Sequence, residues 1–173
     1  MHVTLQDLRS EGRDRSNLAD TLIKLQCFEE ARRELHRAIE CKKPFGYAAL
    51  PWMTWDILHD LEQATGHLQA AAEARRQAIE SYLAYRRAGG ASQSNVAELY
   101  DLVMQAIQQG ATTELEQQLA ELSRENVPPQ FTALLAKLHA ILRGDRDPAL
   151  AADPELHHSD AVELQLLLEG LGA

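Results

Sequence analysis

The stretch NLADTLIKLQCFEEARRELHRAIECKKP, residues 17–44, decides the fold class. Leu18, Leu22 and Leu25 recur at helical spacing, and after a short break Ala31, Leu35, Ala38 and Ile39 line a second helical face. The segment WDILHDLEQATGHLQAAAEARRQAIE, residues 55–80, repeats that layout. It has Trp55, Leu58 and Leu61, a break at Gly66, then Ala71, Ala74, Ala78 and Ile79. The pairs Leu18/Leu58, Phe28/Leu68, Ala31/Ala71 and Ala38/Ala78 all stand 40 residues apart. Two generic amphipathic hairpins would share the apolar period, so it is the common offset that marks a repeat.

Outward from this core the pattern loosens. Residues 79–88, IESYLAYRRA, extend the second unit's last helix, which Gly89 and Gly90 stop. Asn95-x-x-Glu98 reads as a capping box before Leu99, Leu102, Val103, Ala106 and Ile107. After Gly110, Thr113-x-x-Glu116 opens a helix bearing Leu115, Leu119 and Leu122. Pro128 and Pro129 punctuate, and Phe131, Leu134, Leu135, Leu138, Ile141 and Leu142 predict another helix ending at Gly144. The segment GDRDPALAADPELHHS predicts an irregular loop. Asp160-x-x-Glu163 then caps a last helix with Val162, Leu164, Leu167, Leu168 and Leu171.

The small–large–small pattern of the second helices, the Trp55-x-x-Leu58 pair, Gly66 at a turn and Pro44 closing the first unit resemble the tetratricopeptide repeat. The layout, including YLAYRRAGG at residues 82–90, is similar to the C-terminal part of long bacterial tetratricopeptide proteins. The resemblance implies an all-α fold: a right-handed helical-hairpin solenoid with a degenerate third hairpin and C-terminal capping helices. It divides a single repeat domain, 1–173, into units of about 14–44 and 51–88, a hairpin of about 94–125 and a cap of about 129–173. The chain departs from the family pattern in several places. Ala19 and His59 stand where Gly is usual, and Leu22 and Glu62 replace an aromatic. Leu35 and Arg75 occupy the large position, and the period of 40 exceeds the usual of about 34.

Composition narrows the function. Seventeen Lys and Arg against 26 Asp and Glu give a net charge of −9, which disfavours nucleic acid and anionic membrane surfaces and favours basic partners. No apolar run approaches the roughly 18 residues a membrane span needs, and the N-terminus lacks a signal-peptide pattern. Cys27 and Cys41, on one helix, would lie about 21 Å apart, beyond the roughly 7 Å a disulfide allows. Both are expected reduced, in a cytoplasmic protein.

No motif for a nucleophile, a phosphate loop or a zinc-protease helix occurs, so no enzymatic activity, cofactor or metal is expected. His157 and His158, near Asp145, Asp147, Asp153 and Asp160, could suggest a metal-dependent activity. Adjacent histidines point different ways and lack a fixed partner at i, i+4, so a loop with scattered acids is the ordinary reading. His59 and His67 occur singly. Tyr82, Tyr85, Arg86 and Arg87 form an aromatic-basic cluster that could grip an acidic partner. Packing tyrosines and cations at a helix C-terminus account for it more simply.

In the family resembled, first helices line a concave groove. By aligned position the groove residues are Asp20, Ile23 and Lys24 from the first unit, and Asp56, Asp60 and Gln63 from the second. Acidic residues stand where the best-known members use Lys and Asn to hold a terminal carboxylate, which disfavours that mode. The aspartates could equally be ordinary solvated helix surface. The expected function is a non-enzymatic scaffold binding a protein or peptide segment, basic in character, in an acidic groove. The alternative is a self-associating or capping domain of a larger array, dimerising through Val3, Leu5 and Leu8 at the N-terminal end.

Overall fold

The computed structural model describes residues 5–124 and 127–172, and among these every regular element is helical. The chain gathers into two compact units, residues 1–90 and 91–173.

The first unit holds α1 (Leu5–Lys24), α2 (Phe28–Lys42), α3 (Pro51–Ala64) and α4 (Leu68–Arg87), with a 3-10 segment at Lys43–Ala49. α1 pairs with α2, α3 pairs with α4, and α2 lies against α3. The two hairpins repeat their turn geometry as well as their letters. Gln26 and Gly66, 40 apart, both take the left-handed backbone conformation, with φ 61° and 79°. The residues that follow, Cys27 and His67, then enter α2 and α4 at nearly the same φ and ψ.

The core of this unit is made of Ala19, Ala31, Leu35, Leu58, Leu61 and Ala74, with Leu22, Ile23, Phe28, Ile39, Trp55 and Ile57 packed on it. Small residues set the helix spacing. A Cβ at Gly12 would lie 2.9 Å from Lys42 Cγ and 3.3 Å from the Ala38 carbonyl, so α1 and α2 approach this closely only because residue 12 is glycine.

Equivalent positions diverge where their surroundings differ. α2 is flanked by α1 and α3, so Leu35 is fully buried, which stabilises by about 1.5–3 kcal/mol, whereas its counterpart Arg75 on α4 is only half-buried. Leu58 on α3 is 4% exposed, but Leu18 is 47% and Leu25 66% exposed. The leucine face read from residues 18, 22 and 25 is therefore buried only in part, because α1 is an edge helix without a neighbour on its outer side in this unit.

The second unit holds α5 (Ala97–Gln109), α6 (Thr112–Leu122), α7 (Pro129–Leu142), a 3-10 turn (Pro148–Ala152) and α8 (His158–Gly170). α5 and α6 form a hairpin, α7 packs on both, and α8 lies against α5 and the 3-10 turn. The three helix starts read from the sequence are each made differently. Ser94, not Asn95, accepts from the Val96 amide, α6 starts at Thr112 after Ala111, and His157 caps α8. α8 buries His158, Ser159, Ala161 to Leu164, Leu167 and Leu168. Among the described residues no helix is long and apolar enough to cross a membrane.

Candidate functional site

The first helices α1 and α3 of the two hairpins run side by side, tied by Ser16 Oγ and Thr54 Oγ1 at 2.9 Å. They carry all six residues of the expected groove. Lys24, Asp60 and Gln63 are exposed, while Asp20 and Asp56 are half-buried. Lys24 Nζ donates to Asp20 Oδ2 at 2.6 Å, an i, i+4 pair, so one carboxylate of the set is already balanced by the lysine of the same set. Ile23, expected at the groove surface, packs instead on the hydrophobic core. The α1 register explains this, since Ile23 follows buried Ala19 by one helical turn.

Two buried polar clusters lie beneath these helices, and sequence reasoning found neither. In the first, Glu62 of α3 is 3% exposed and accepts from Arg32 of α2 twice, Nε to Oε1 at 2.6 Å and Nη2 to Oε2 at 3.0 Å. His67 Nδ1 lies 2.8 Å from Oε2 and donates to it when that nitrogen carries the proton. Burial pushes the Glu62 carboxyl up, but the hydrogen bonds and charges of Arg32 and His67 outweigh it and hold the group below the usual carboxylate range. An ion pair thus joins α2 to α3 at this buried position. An open cleft of about 810 Å³ runs beside it, lined by Glu29, Arg32, His36 and His67.

The second cluster joins α1, α2 and α3. Lys42 is 7% exposed, and its Nζ donates to Thr54 Oγ1 at 2.7 Å. Thr54 bonds Ser16, whose Oγ donates to the Gly12 carbonyl at 2.9 Å. No carboxylate among the described residues pairs with Lys42, and burial lowers its pKa from the ordinary value. The signal available in the sequence was the ladder of small residues Gly12, Ser16 and Ala19, spaced by four and three along α1.

The remaining candidates have structural employment. Tyr82 is fully buried, and Trp52 lies 5.3 Å from it and 4.8 Å from Tyr85, centroid to centroid. Arg86 Nη1 donates to the Gly90 carbonyl at 2.5 Å, closing the end of α4. The His157 and His158 rings do come together, at 4.2 Å between centroids, although adjacent histidines were expected to diverge. The acids near them in sequence are otherwise engaged. Asp145 and Asp147 accept from the Asp147 and Ala149 amides, Asp153 pairs with Lys137 at 2.6 Å, and Asp160 accepts from Ser94 and Tyr100. Both cysteines are free thiols, Cys27 exposed and Cys41 half-buried.

Compared with protein-family models, curated proteins and solved structures, the chain matches none.

Proposed function

We propose that the chain is a non-enzymatic, tetratricopeptide-like interaction module that holds a basic partner segment along α1 and α3. The observation that carries this reading is the side-by-side placement of the two hairpins' first helices. Asp20 and Lys24 lie on the one helix, and Asp60 and Gln63 on the other. An extended cationic segment laid across them would compete with Lys24 for Asp20 and add a charge contact at the exposed Asp60. The right-handed solenoid and the cytoplasmic setting belong to the same reading, and free Cys27 and Cys41 fit a reducing compartment. Neither nucleic acid nor an anionic membrane suits a chain of net charge −9.

The test compares wild type with Asp20→Lys/Asp60→Lys/Gln63→Lys, all changes on solvent-facing or half-buried side chains of α1 and α3. Binding of a fluorescein-labelled library of basic peptides is followed by anisotropy at two salt concentrations. A peptide held by wild type, released by added salt and ignored by the variant supports the module. Equal binding by both proteins overturns the groove.

Self-association is the second reading. It is favoured by the exposure of Leu18, Leu25, Met53 and Leu68 in the first unit. Of the N-terminal residues tied to it, Val3 and the Leu5 side chain lie outside the described residues, and Leu8 is half-buried. Light scattering that gives the monomer mass across concentration rejects this reading.

A further inference from the structure

A concave cleft of about 470 Å³ opens between the N-terminal half of α1, the 3-10 segment and the start of α3. Arg9 and Arg13 stand at its rim, Lys42 and Ser16 lie buried at its floor, and Met53 and Ile57 form an apolar side. No carboxylate is among the described residues that line it. In a chain with 26 acidic against 17 basic residues, three cations gathered around one cleft invert the general balance.

The cations are also poorly compensated. Arg9 Nη2 donates to the Ala48 carbonyl at 2.8 Å, which fixes the guanidinium across the mouth of the cleft without neutralising it. Among the described residues Arg13 pairs with Asp14 alone, at 3.4 Å, with both side chains largely in water. Such an exposed pair contributes little. Lys42 spends one of its three N–H groups on Thr54 and is 93% buried, by its 7% exposure, with no counter-ion among the described residues. A buried ammonium without a counter-charge is costly, and an oxyanion entering the cleft relieves that cost. Guanidinium forks match the geometry of carboxylate and phosphate oxygens. The volume falls in the range of small-molecule sites, where a few placed polar groups fix a head and an apolar wall takes the body.

From this geometry we infer that the cleft binds a small organic anion, its carboxylate or phosphate head held by Arg9, Arg13 and Lys42 and its apolar body on Met53 and Ile57. None of the groove residues Asp20, Asp56 and Asp60 is among the described residues that line this cleft, so the site is distinct from the groove. It stands whether or not that groove binds a peptide.

Calorimetric titration with hexyl phosphate, hexanoate and inorganic phosphate tests the inference. Saturable binding of hexyl phosphate or hexanoate is expected, weakened by salt, and the tighter of the two identifies the head group. Inorganic phosphate is expected to bind at least about tenfold more weakly, having no body to bury. The surface variant Arg9→Gln/Arg13→Gln is expected to lose about tenfold or more in affinity. Lys42→Met abolishes binding, and Arg76→Gln on α4 leaves it unchanged. Absence of saturation with both organic probes at millimolar concentration overturns the site. So does wild-type affinity in the Arg9→Gln/Arg13→Gln protein, which keeps the test decisive should Lys42→Met misfold. Equal affinity for inorganic and hexyl phosphate overturns the apolar wall.

Discussion

Gln26 and Gly66 hold the same left-handed backbone conformation at the same place in two successive helical hairpins, with φ 61° and 79°. Only one of the two is the residue type that adopts it without strain. Replacing Gln26 by Gly is therefore expected to stabilise the first unit by about 0.5–1 kcal/mol, and Gly66→Ala to destabilise it by about 1 kcal/mol. Both tryptophans, Trp52 and Trp55, lie in this unit, so the urea midpoint read from tryptophan fluorescence measures the change. Opposite signs for the two variants are the required result.

Glu62 ties α3 to α2 through Arg32, and its pH dependence has a definite sign. Its carboxyl is held below the ordinary value of 4.5, so its stabilisation is complete above that value and is lost as pH falls through the folded-state value. At neutral pH, Glu62→Gln is expected to cost about 2 kcal/mol, the worth of a charged hydrogen-bonded partner. In acid, where wild-type Glu62 is itself protonated, the two midpoints should converge. A gap that stays constant into acid contradicts the ion pair.

Lys42 predicts the opposite trend at the alkaline end. Burial lowers its folded-state pKa below the ordinary 10.5, so between those values the unfolded chain holds the extra proton. Raising pH through that window stabilises the fold, and below it the full penalty for burying the charge remains. Lys42→Met removes the penalty. Its neutral-pH midpoint should equal or exceed wild type by about 1 kcal/mol, and its alkaline gain should vanish. A wild type whose midpoint does not rise relative to Lys42→Met on approaching pH 10.5 refutes the assignment.

In the second unit Tyr100 donates to Asp160 at 2.9 Å, beside the 2.8 Å bond from Ser94. Burial, then the Asp160 charge, push the Tyr100 phenol well above its usual range, so it remains a donor at all ordinary pH. Tyr100→Phe is expected to remove about 1–1.5 kcal/mol. Amide hydrogen exchange in α5 and α8 should then speed up about tenfold. Unchanged protection in α8 would show that Ser94 alone suffices.

The sequence by itself determined that this chain is helical, where its first hairpins turn and that two of them share a 40-residue spacing of apolar positions. Apolar spacing and the 40-residue offset are local, one-dimensional signals, and a turn such as Gln26-Cys27 or Gly66-His67 forms within a few residues of chain. Of the candidate site only the helical phase was legible, and Lys24, Asp60 and Gln63 are exposed. What only the tertiary structure decided was which copies of a position are buried. Leu18 and Leu58 share a letter, yet one edges the unit and the other is enclosed by α2 and α4. The polar clusters were equally invisible, since Arg32 meets Glu62 across 30 residues and Ser16 meets Thr54 across 38. Partnership at that range depends on how helices cross, and the same holds at the start of α8. Asp160 and Glu163 carry the letters of a cap, but hydroxyls on Ser94, Tyr100 and Ser92, brought from 60 or more residues away, claim their oxygens. Helical phase is written in neighbouring residues, whereas burial and charge pairing belong to surfaces that exist only once the helices have packed.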